Sequence, residues 1–263
     1  MPEHLVLRLE APLMSFGGET IDNFGVVRDF PAASMLTGLI ANALGWRRTD
    51  TDKLDRLQDR LVFAVRLDRP GTRFTEYQTA RLLAEDQGWT TRGRPEGRNK
   101  ESSSFKVDVG QYRKTGEKVR SQTHERYRDY DADALVTVVL RLDPAAADPD
   151  LDAVADALDA PARPLFIGRK ACLPASRLVA GRIAGATVED ALRSLPLLAD
   201  HPSAGKSPRA FWPRAEGAPV SSTHAREFTV TDRRNWRSGV HGGSRLIVEG
   251  EVVPPPADKC GQP

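Results

Sequence analysis

Only two cysteines occur among the 263 residues, Cys172 and Cys260, and the second lies in a tail reading PPPADKCGQP. That rules out a disulfide framework, and with it a cysteine-built zinc site, which takes about four ligands. Histidine is scarce too, five in all, and His201, His224 and His241 show no metal spacing with acids or cysteines. No metal and no cofactor is expected. Long apolar runs are also missing: nothing approaches the roughly 20 continuous residues that cross a bilayer as a helix. The start, MPEHLVLRLEAP, mixes acid and base into its short apolar stretch and does not read as a secretory signal. These gaps point to a chain of the reducing cytoplasm with no membrane partner.

What is present is a globular composition, 40% apolar, with 28% charged residues that nearly cancel to a net +2. A near-neutral sum can conceal a strongly basic patch, so the distribution of charge matters more than its total. Arginine dominates the bases, and its planar fork suits phosphate because it donates two hydrogen bonds at once.

Along the chain, His4–Leu9 alternates as a strand with Leu5, Leu7 and Leu9 on one face. Residues 11–30, with Pro12, Gly17, Gly18 and the polar run 19–23, favour a loop. A helix follows through Met35, Leu36, Leu39, Ile40, Ala43 and Leu44, with Pro31 and Ser34 as start signals and Gly45 as its stop. Gly38 inside it costs about 1 kcal/mol relative to alanine, which close packing against a sheet would offset. Asp50–Asp59 reads as an amphipathic helix with Leu54 and Leu57 inward, and Leu61–Leu67 as a strand. Arg69-Pro70-Gly71 turns the chain, and Phe74–Thr79 is expected to return as that strand's partner. Leu135–Leu142 is a further strand, Asp148–Leu158 and Val188–Leu195 are helices, and Arg245–Val253 is a terminal strand.

Residues 82–122 interrupt this rhythm with five glycines, a serine run at 102–104 and few aliphatics. A structureless loop of that length is unusual in a compact domain, so the segment reads as a protruding insertion, with a hairpin through Phe105–Val109. Between 92 and 128, eleven lysines and arginines stand against five acids, with Phe105, Tyr112 and Tyr127 interleaved and Tyr130 just beyond. The rest of the chain is therefore net acidic. Cations that hold phosphates beside rings that stack on bases are the pattern of a single-strand binder. A solvated, flexible loop is the plainer reading of the same charge.

The element order strand, helix, strand, strand, strand, helix fits a ferredoxin-like or RRM-like α+β unit. An antiparallel sheet with helices on one face only would leave its other face open to single-stranded RNA.

Three segments carry a more specific pattern: LVLRLEAPLMSFG at 5–17, RDFPAASMLTGLIANALG at 28–45 and LFIGRKACLPASRL at 165–178. A fourth is THERYRDYDADALVTVVL at 123–140. Together they resemble the subtype I-E branch of the Cas-five family, within the RAMP superfamily, from about residue 1 to 195. The resemblance implies an RRM-like palm (1–81 and 123–200), a β-hairpin thumb inserted at 82–122, and a small C-terminal β extension (201–263). It implies a non-catalytic subunit of a CRISPR Cascade surveillance complex that serves antiviral defence. Such a subunit caps the 5′ handle of the guide RNA (crRNA) and contacts the CasC backbone subunit and the CasA large subunit. Through the other Cascade subunits it meets target DNA indirectly.

The RNA contacts expected on this basis are Ser15, Gly17, Arg28, Ser34, Lys106, Arg113, Arg120, His124, Tyr127, Arg128, Arg169 and Lys170. Arg169 and Lys170 stand foremost, because Gly168 lets a backbone approach a phosphate closely; Arg163 and Arg177 flank them. Ser34 sits where helix amides favour anions, although a serine there also serves as a simple cap. Met14 and Phe16 suit packing, and Trp46 suits closure of the helix against the core. The rival readings are an endoribonuclease and a free-standing single-strand binder. His124, Tyr127 and Lys118 have the side chains for metal-independent cleavage, a histidine to move protons and a lysine to stabilise a phosphorane. The subtype I-C relatives cut RNA with a tyrosine, a lysine and a histidine, but no Lys-His pair is adjacent anywhere in this chain.

Overall fold

A computed structural model describes residues 1–21, 23–82, 90–91, 94–95, 105–108, 121–197, 207–217, 225–253 and 255. In chain order the elements begin with strands Glu3–Glu10 (β1), Leu13–Met14 (β2), Gly17–Ile21 (β3) and Phe24–Val27 (β4), then helices Ala33–Ala43 (α1) and Thr51–Arg60 (α2). Strands Leu61–Arg69 (β5), Thr72–Leu82 (β6), Thr90–Thr91 (β7), Arg94–Pro95 (β8), Phe105–Asp108 (β9), Ser121–Ala132 (β10) and Leu135–Leu142 (β11) come next. Helix Leu151–Asp159 (α3), strand Val179–Ala184 (β12) and helix Val188–Arg193 (α4) lead to strands Arg209–Pro213 (β13), Arg226–Val230 (β14) and Arg245–Glu251 (β15). The chain divides into two units, Met1–Phe16 with Arg28–Thr72 and Asp131–Pro263, and Gly17–Val27 with Arg73–Tyr130.

The first unit is built on an antiparallel sheet in the order β12-β1-β11-β5-β13-β15-β14. Leu5 lies opposite Leu140, and Val6 opposite Val139. Successive side chains point to opposite faces, so Leu5, Leu7, Leu9, Val65 and Leu140 form one layer and Val6, Ala64 and Val139 the other. Both layers are buried. The second layer is covered by Val188, Ala191 and Leu192 of α4 and continues through Ala210, Trp212, Val248 and Val252. The expectation of an open sheet face for RNA is therefore corrected. The short helix at 188–193 closes that face, and the alternation of β1 alone gave no sign of it.

One buried cation holds this cover in place. Arg66, fully buried in β5, donates from Nε to Asp68 Oδ1 at 2.5 Å and from Nη2 to Asp68 Oδ2 at 3.2 Å. Its remaining protons go to the carbonyls of Leu192 (3.1 Å), Leu195 (2.7 Å) and Pro196 (2.7 Å). The Leu192 carbonyl, in the last turn of α4, also accepts from Leu195 N at 3.3 Å, and those of Leu195 and Pro196 lie just beyond the helix. Thr137 Oγ1 completes the network by donating to Asp68 Oδ2 at 2.7 Å.

The tail joins the same sheet rather than forming a separate extension. β13 pairs with β5, setting Phe211 opposite Val65, and β15 and β14 continue outward. The partner of β5 is thus β11 on one side and β13 on the other, not Phe74–Thr79, which belongs to β6 and pairs with β10. The tail also begins α1: Asp232 is fully buried, and its Oδ2 accepts from Ala33 N at 3.0 Å while its carbonyl accepts from Ser34 N at 3.0 Å. Arg245 neutralises that carboxylate at 2.7 Å. Ser34 is neither the cap nor exposed, since the N-cap position is Ala32 and Ser34 is buried. Gly38 faces Trp236, whose ring carbon would lie 3.8 Å from a β-carbon there, so its neighbour is the tail and not the sheet. Gly45 ends α1 at φ +75°, as the sequence required. Trp46, half-buried after it, carries Lys53 Nζ 5.5 Å from its ring centroid.

In the second unit, residues expected to be a loop supply strands β3 and β4. β4 runs parallel to β10, with Phe24 opposite Tyr127, and β3 pairs with β4. β9 pairs with the start of β10, setting Lys106 opposite Thr123 and Phe105 opposite His124. The unit is wider than 82–122, because Arg73–Leu82 and Gly17–Val27 belong to it.

Replacing Arg66 with methionine should lower unfolding free energy by about 3–5 kcal/mol, the penalty for stranding a buried partner charge. Urea denaturation measures it. The double substitution R66M/D68L, which leaves no charge behind, should recover part of that loss, and an additive loss would contradict this account.

Candidate nucleic-acid interface

In the first unit the three marked sequence segments meet around the stretch 163–178. Ser15 N donates to Ile167 O at 3.3 Å, Arg8 N to Leu178 O at 2.8 Å and Ala175 N to Glu10 O at 2.8 Å. The end of α1 joins them from another side. Arg163 donates to the carbonyls of Gly45 (2.6 Å) and Trp46 (2.7 Å), and Asn42 Nδ2 donates to Pro164 O at 2.9 Å. Residues 167–172 close into a tight turn, with Ile167 N bonded to Cys172 O at 2.7 Å and Cys172 N to Arg169 O at 2.9 Å. Leu165, Ile167 and Cys172 are buried beneath it, and burial pushes the Cys172 thiol pKa up.

Gly168 has φ +91°, and a β-carbon there would fall 1.7 Å from Ser15 O. Its close approach is thus to the protein's own backbone, a different reason for glycine than contact with a phosphate. That anchoring still favours a surface role for the next two residues, since Lys170 is exposed and Arg169 half-exposed at the tip. Arg177 is committed to Asp159 by a two-point ion pair that raises its own pKa and lowers the carboxylate's.

Other expected contacts lie differently. Ser15 is 1% exposed and its hydroxyl has no partner among the described residues, so it faces inward. Met14 and Phe16 are core residues, as expected. Arg28 donates to Thr231 O at 3.0 Å and to Phe16 O through its backbone at 2.7 Å, tying the tail and the segment after β2 to the approach to α1. Near the turn, Glu10 gathers Arg8 (2.7 Å) and Arg69 (2.9 Å) into a cluster of net positive charge. Burial pushes the Glu10 pKa up, but hydrogen bonds from Arg69 and Arg8 outweigh it and hold the carboxyl below its ordinary range.

In the second unit, Tyr127 lies between two rings. Phe24 stacks on it at 5.1 Å between centroids with planes 14° apart, and Tyr77 lies at 5.0 Å. Phe24 is 51% and Tyr77 52% exposed, so the trio presents ring surface to solvent. Neighbouring residues of a strand face opposite ways, and Arg128 turns to the other side, where Nε donates to Gln78 Oε1 at 3.1 Å. Tyr130 is buried and donates to Glu76 Oε2 at 3.1 Å, so it serves structure rather than stacking. Gly17 opens β3 and is exposed, with open space where a side chain would go. Of the remaining expected contacts, Lys106 and His124 are fixed only as backbone positions in β9 and β10, while Arg113, Arg120, Tyr112 and Lys118 lie outside the described residues. Phe24 and Tyr77 were missed by sequence reasoning; the one local hint was an aromatic directly after Asn23 in an otherwise polar stretch.

Among the described residues no three His, Cys, Asp or Glu side chains converge as a metal site, and no helix is long and apolar enough to cross a membrane.

The family model described as CRISPR-associated protein (Cas_Cas5) matches residues 4–248. The chain is similar to the CRISPR system Cascade subunit CasD of Escherichia coli (strain K12), at 27% identity over 172 residues, 65% of this chain and 67% of that one. In structure it is similar to a chain of a CRISPR RNA-guided surveillance complex, with a TM-score of 0.62 and 26% identity, covering 96% of this chain and 91% of the other. A second likeness, to a crystal structure of a Cas protein, has a TM-score of 0.57 at 21% identity over 95% and 94% of the two chains, and shows the fold alone. With the family model spanning nearly the whole core of both units, the chain belongs to the CRISPR-associated protein (Cas_Cas5) family.

Proposed function

We propose that the chain is a non-catalytic RNA-binding subunit of a Cascade-type surveillance complex, gripping the 5′ handle of the guide RNA. The observation that carries this reading is the exposed ring trio of Phe24, Tyr127 and Tyr77, set in a unit whose residues 92–128 hold a surplus of six positive charges. Stacked, half-exposed rings beside a basic segment suit unpaired bases of any sequence, whereas a solvated loop has no use for them. The similarity to CasD and to a chain of a surveillance complex supports the same assignment.

In this reading the first unit is a ferredoxin-like palm. The order β12-β1-β11-β5, with helices following β1 and β11, is the order such a unit requires. The second unit is its thumb. With both faces of the palm sheet covered, RNA contacts are expected at the turn holding Arg169 and Lys170 in the first unit and, independently, at the rings of the second. The backbone and large subunits, CasC and CasA, are its partners in the assembly.

Tyr127→Ala should weaken binding of a handle-bearing RNA by about five- to a hundred-fold, the effect of losing one stacked base, with Phe24→Ala in the same direction. Titration with a fluorescent RNA measures this, and unchanged affinity in both variants would remove the trio from the interface. Arg169→Ala should reduce the slope of log affinity against log salt by about 0.7, the signature of one lost single-strand phosphate contact. Incubated with repeat RNA, the pure protein should leave it intact. Specific cleavage that disappears in His124→Ala would replace the scaffold reading with the endoribonuclease.

A further inference from the structure

One face of β1 changes character along its length. His4 and Val6 are buried, whereas the Arg8 side chain is 33% exposed and that of Glu10 19%. Alternation sets all four on the same face, so the strand turns polar just past Val6. Glu10 lies opposite Leu135 of β11, and Arg69 of β5 lies opposite the same leucine from the other side. Two arginines from different strands thereby reach one acid.

The three side chains form a single built unit. Arg8 donates to Glu10 Oε2 from Nε at 2.9 Å and from Nη2 at 2.7 Å, and Arg69 donates to Oε1 from Nη2 at 2.9 Å. Arg69 Nε goes to the carbonyl of Asp133 at 2.6 Å. Glu10 therefore holds both guanidiniums and neutralises only one of them. On each guanidinium two nitrogens are committed, while Nη1, with its two protons, has no acceptor among the described residues. A comparable carboxylate, Glu249, accepts from Arg209 and from Arg226 at 2.5 Å each. There Asp29 joins Arg209 at 3.0 Å, so two acids face two arginines and the surplus is absent. The Glu10 unit is also tied by backbone to the stretch that carries Arg169 and Lys170, through Ala175 N to Glu10 O and Arg8 N to Leu178 O, both at 2.8 Å.

We infer that Arg8 and Arg69 form an anion clamp for a phosphodiester of single-stranded RNA, with Glu10 as the positioning residue that aims both guanidiniums. The choice of RNA rests on the function proposed above; the geometry of the clamp does not. A planar fork already held at two nitrogens has little freedom left to lose when the third meets a ligand. Glu10 thus favours anion binding although its own charge opposes it.

The test titrates a fluorescent single-stranded RNA of mixed sequence with the full-length protein and compares matched substitutions in the two clusters. Arg8→Ala and Arg69→Ala should each cut the slope of log affinity against log salt by about 0.7. Arg226→Ala, which removes the same charge beside Glu249, should leave that slope unchanged. Glu10→Gln adds one positive charge, so charge counting predicts tighter binding. The clamp predicts the opposite, binding weaker by about five-fold, the worth of one net hydrogen bond, while Glu249→Gln does not weaken it. Urea denaturation establishes that each variant folds. Arg8→Lys keeps the charge without the planar fork, stands in where Arg8→Ala does not fold, and should bind more weakly than the unaltered chain. Tighter binding by Glu10→Gln, or equal slope losses in Arg8→Ala and Arg226→Ala, would overturn the clamp. Unchanged RNA affinity in both arginine variants, with lost co-purification of other subunits, would overturn it in favour of a protein contact. If the unaltered chain binds no RNA, the function proposed above fails, and the ligand assigned here fails with it.

Discussion

A single guanidinium decides which surfaces of this protein are available. Arg66 stands in the middle of the central sheet with its charge balanced by Asp68, and it takes up the carbonyls at the end of α4. A buried cation is tolerable only when every proton has an acceptor, and here the acceptors are the Asp68 carboxylate and three carbonyls at and just beyond the end of α4. The pairing thus fixes a helix of only six residues, too short to persist alone, across a sheet face that would otherwise meet solvent.

With that face closed, the exposed cations and rings of the proposed interface stand elsewhere in the two units. Gly168 presses the turn of residues 167–172 onto Ser15, which leaves the cations at its tip facing outward. The rings of Phe24, Tyr77 and Tyr127 gather on strands of the other unit. At the 167–172 turn the exposed cations stand over buried backbone contacts, Ser15 N to Ile167 O among them. The tail contributes more than its composition suggested, supplying strands to the sheet, the Asp232 cap of α1 and the hairpin over α2.

Much of the first unit was legible in the chain. The leucine alternation of β1, the apolar run of β11 and the helical spacing around Leu36 and Ile40 are local patterns, and local patterns survive folding when a core rewards them. The three marked segments were legible as a set, and they do assemble around one turn. What could not be read was any strand whose reason is a distant partner. β4 exists because Phe24 runs parallel to Tyr127 about a hundred residues on, and β13 because Phe211 lies against Val65. Ser34 misled because serine caps helices so commonly, whereas the cap came from Asp232, nearly two hundred residues away.

By itself the sequence determined the element types of the core, the placement of positive charge between 92 and 128, and the family to which the chain belongs, since all three depend on residue kinds and near-neighbour spacing. Only the tertiary structure decided which sheet face is sealed, that Gly168 serves Ser15, and which rings lie together at the surface. Those outcomes depend on residues far apart in the chain competing for the same buried volume and hydrogen-bond acceptors, and no local pattern encodes the winner.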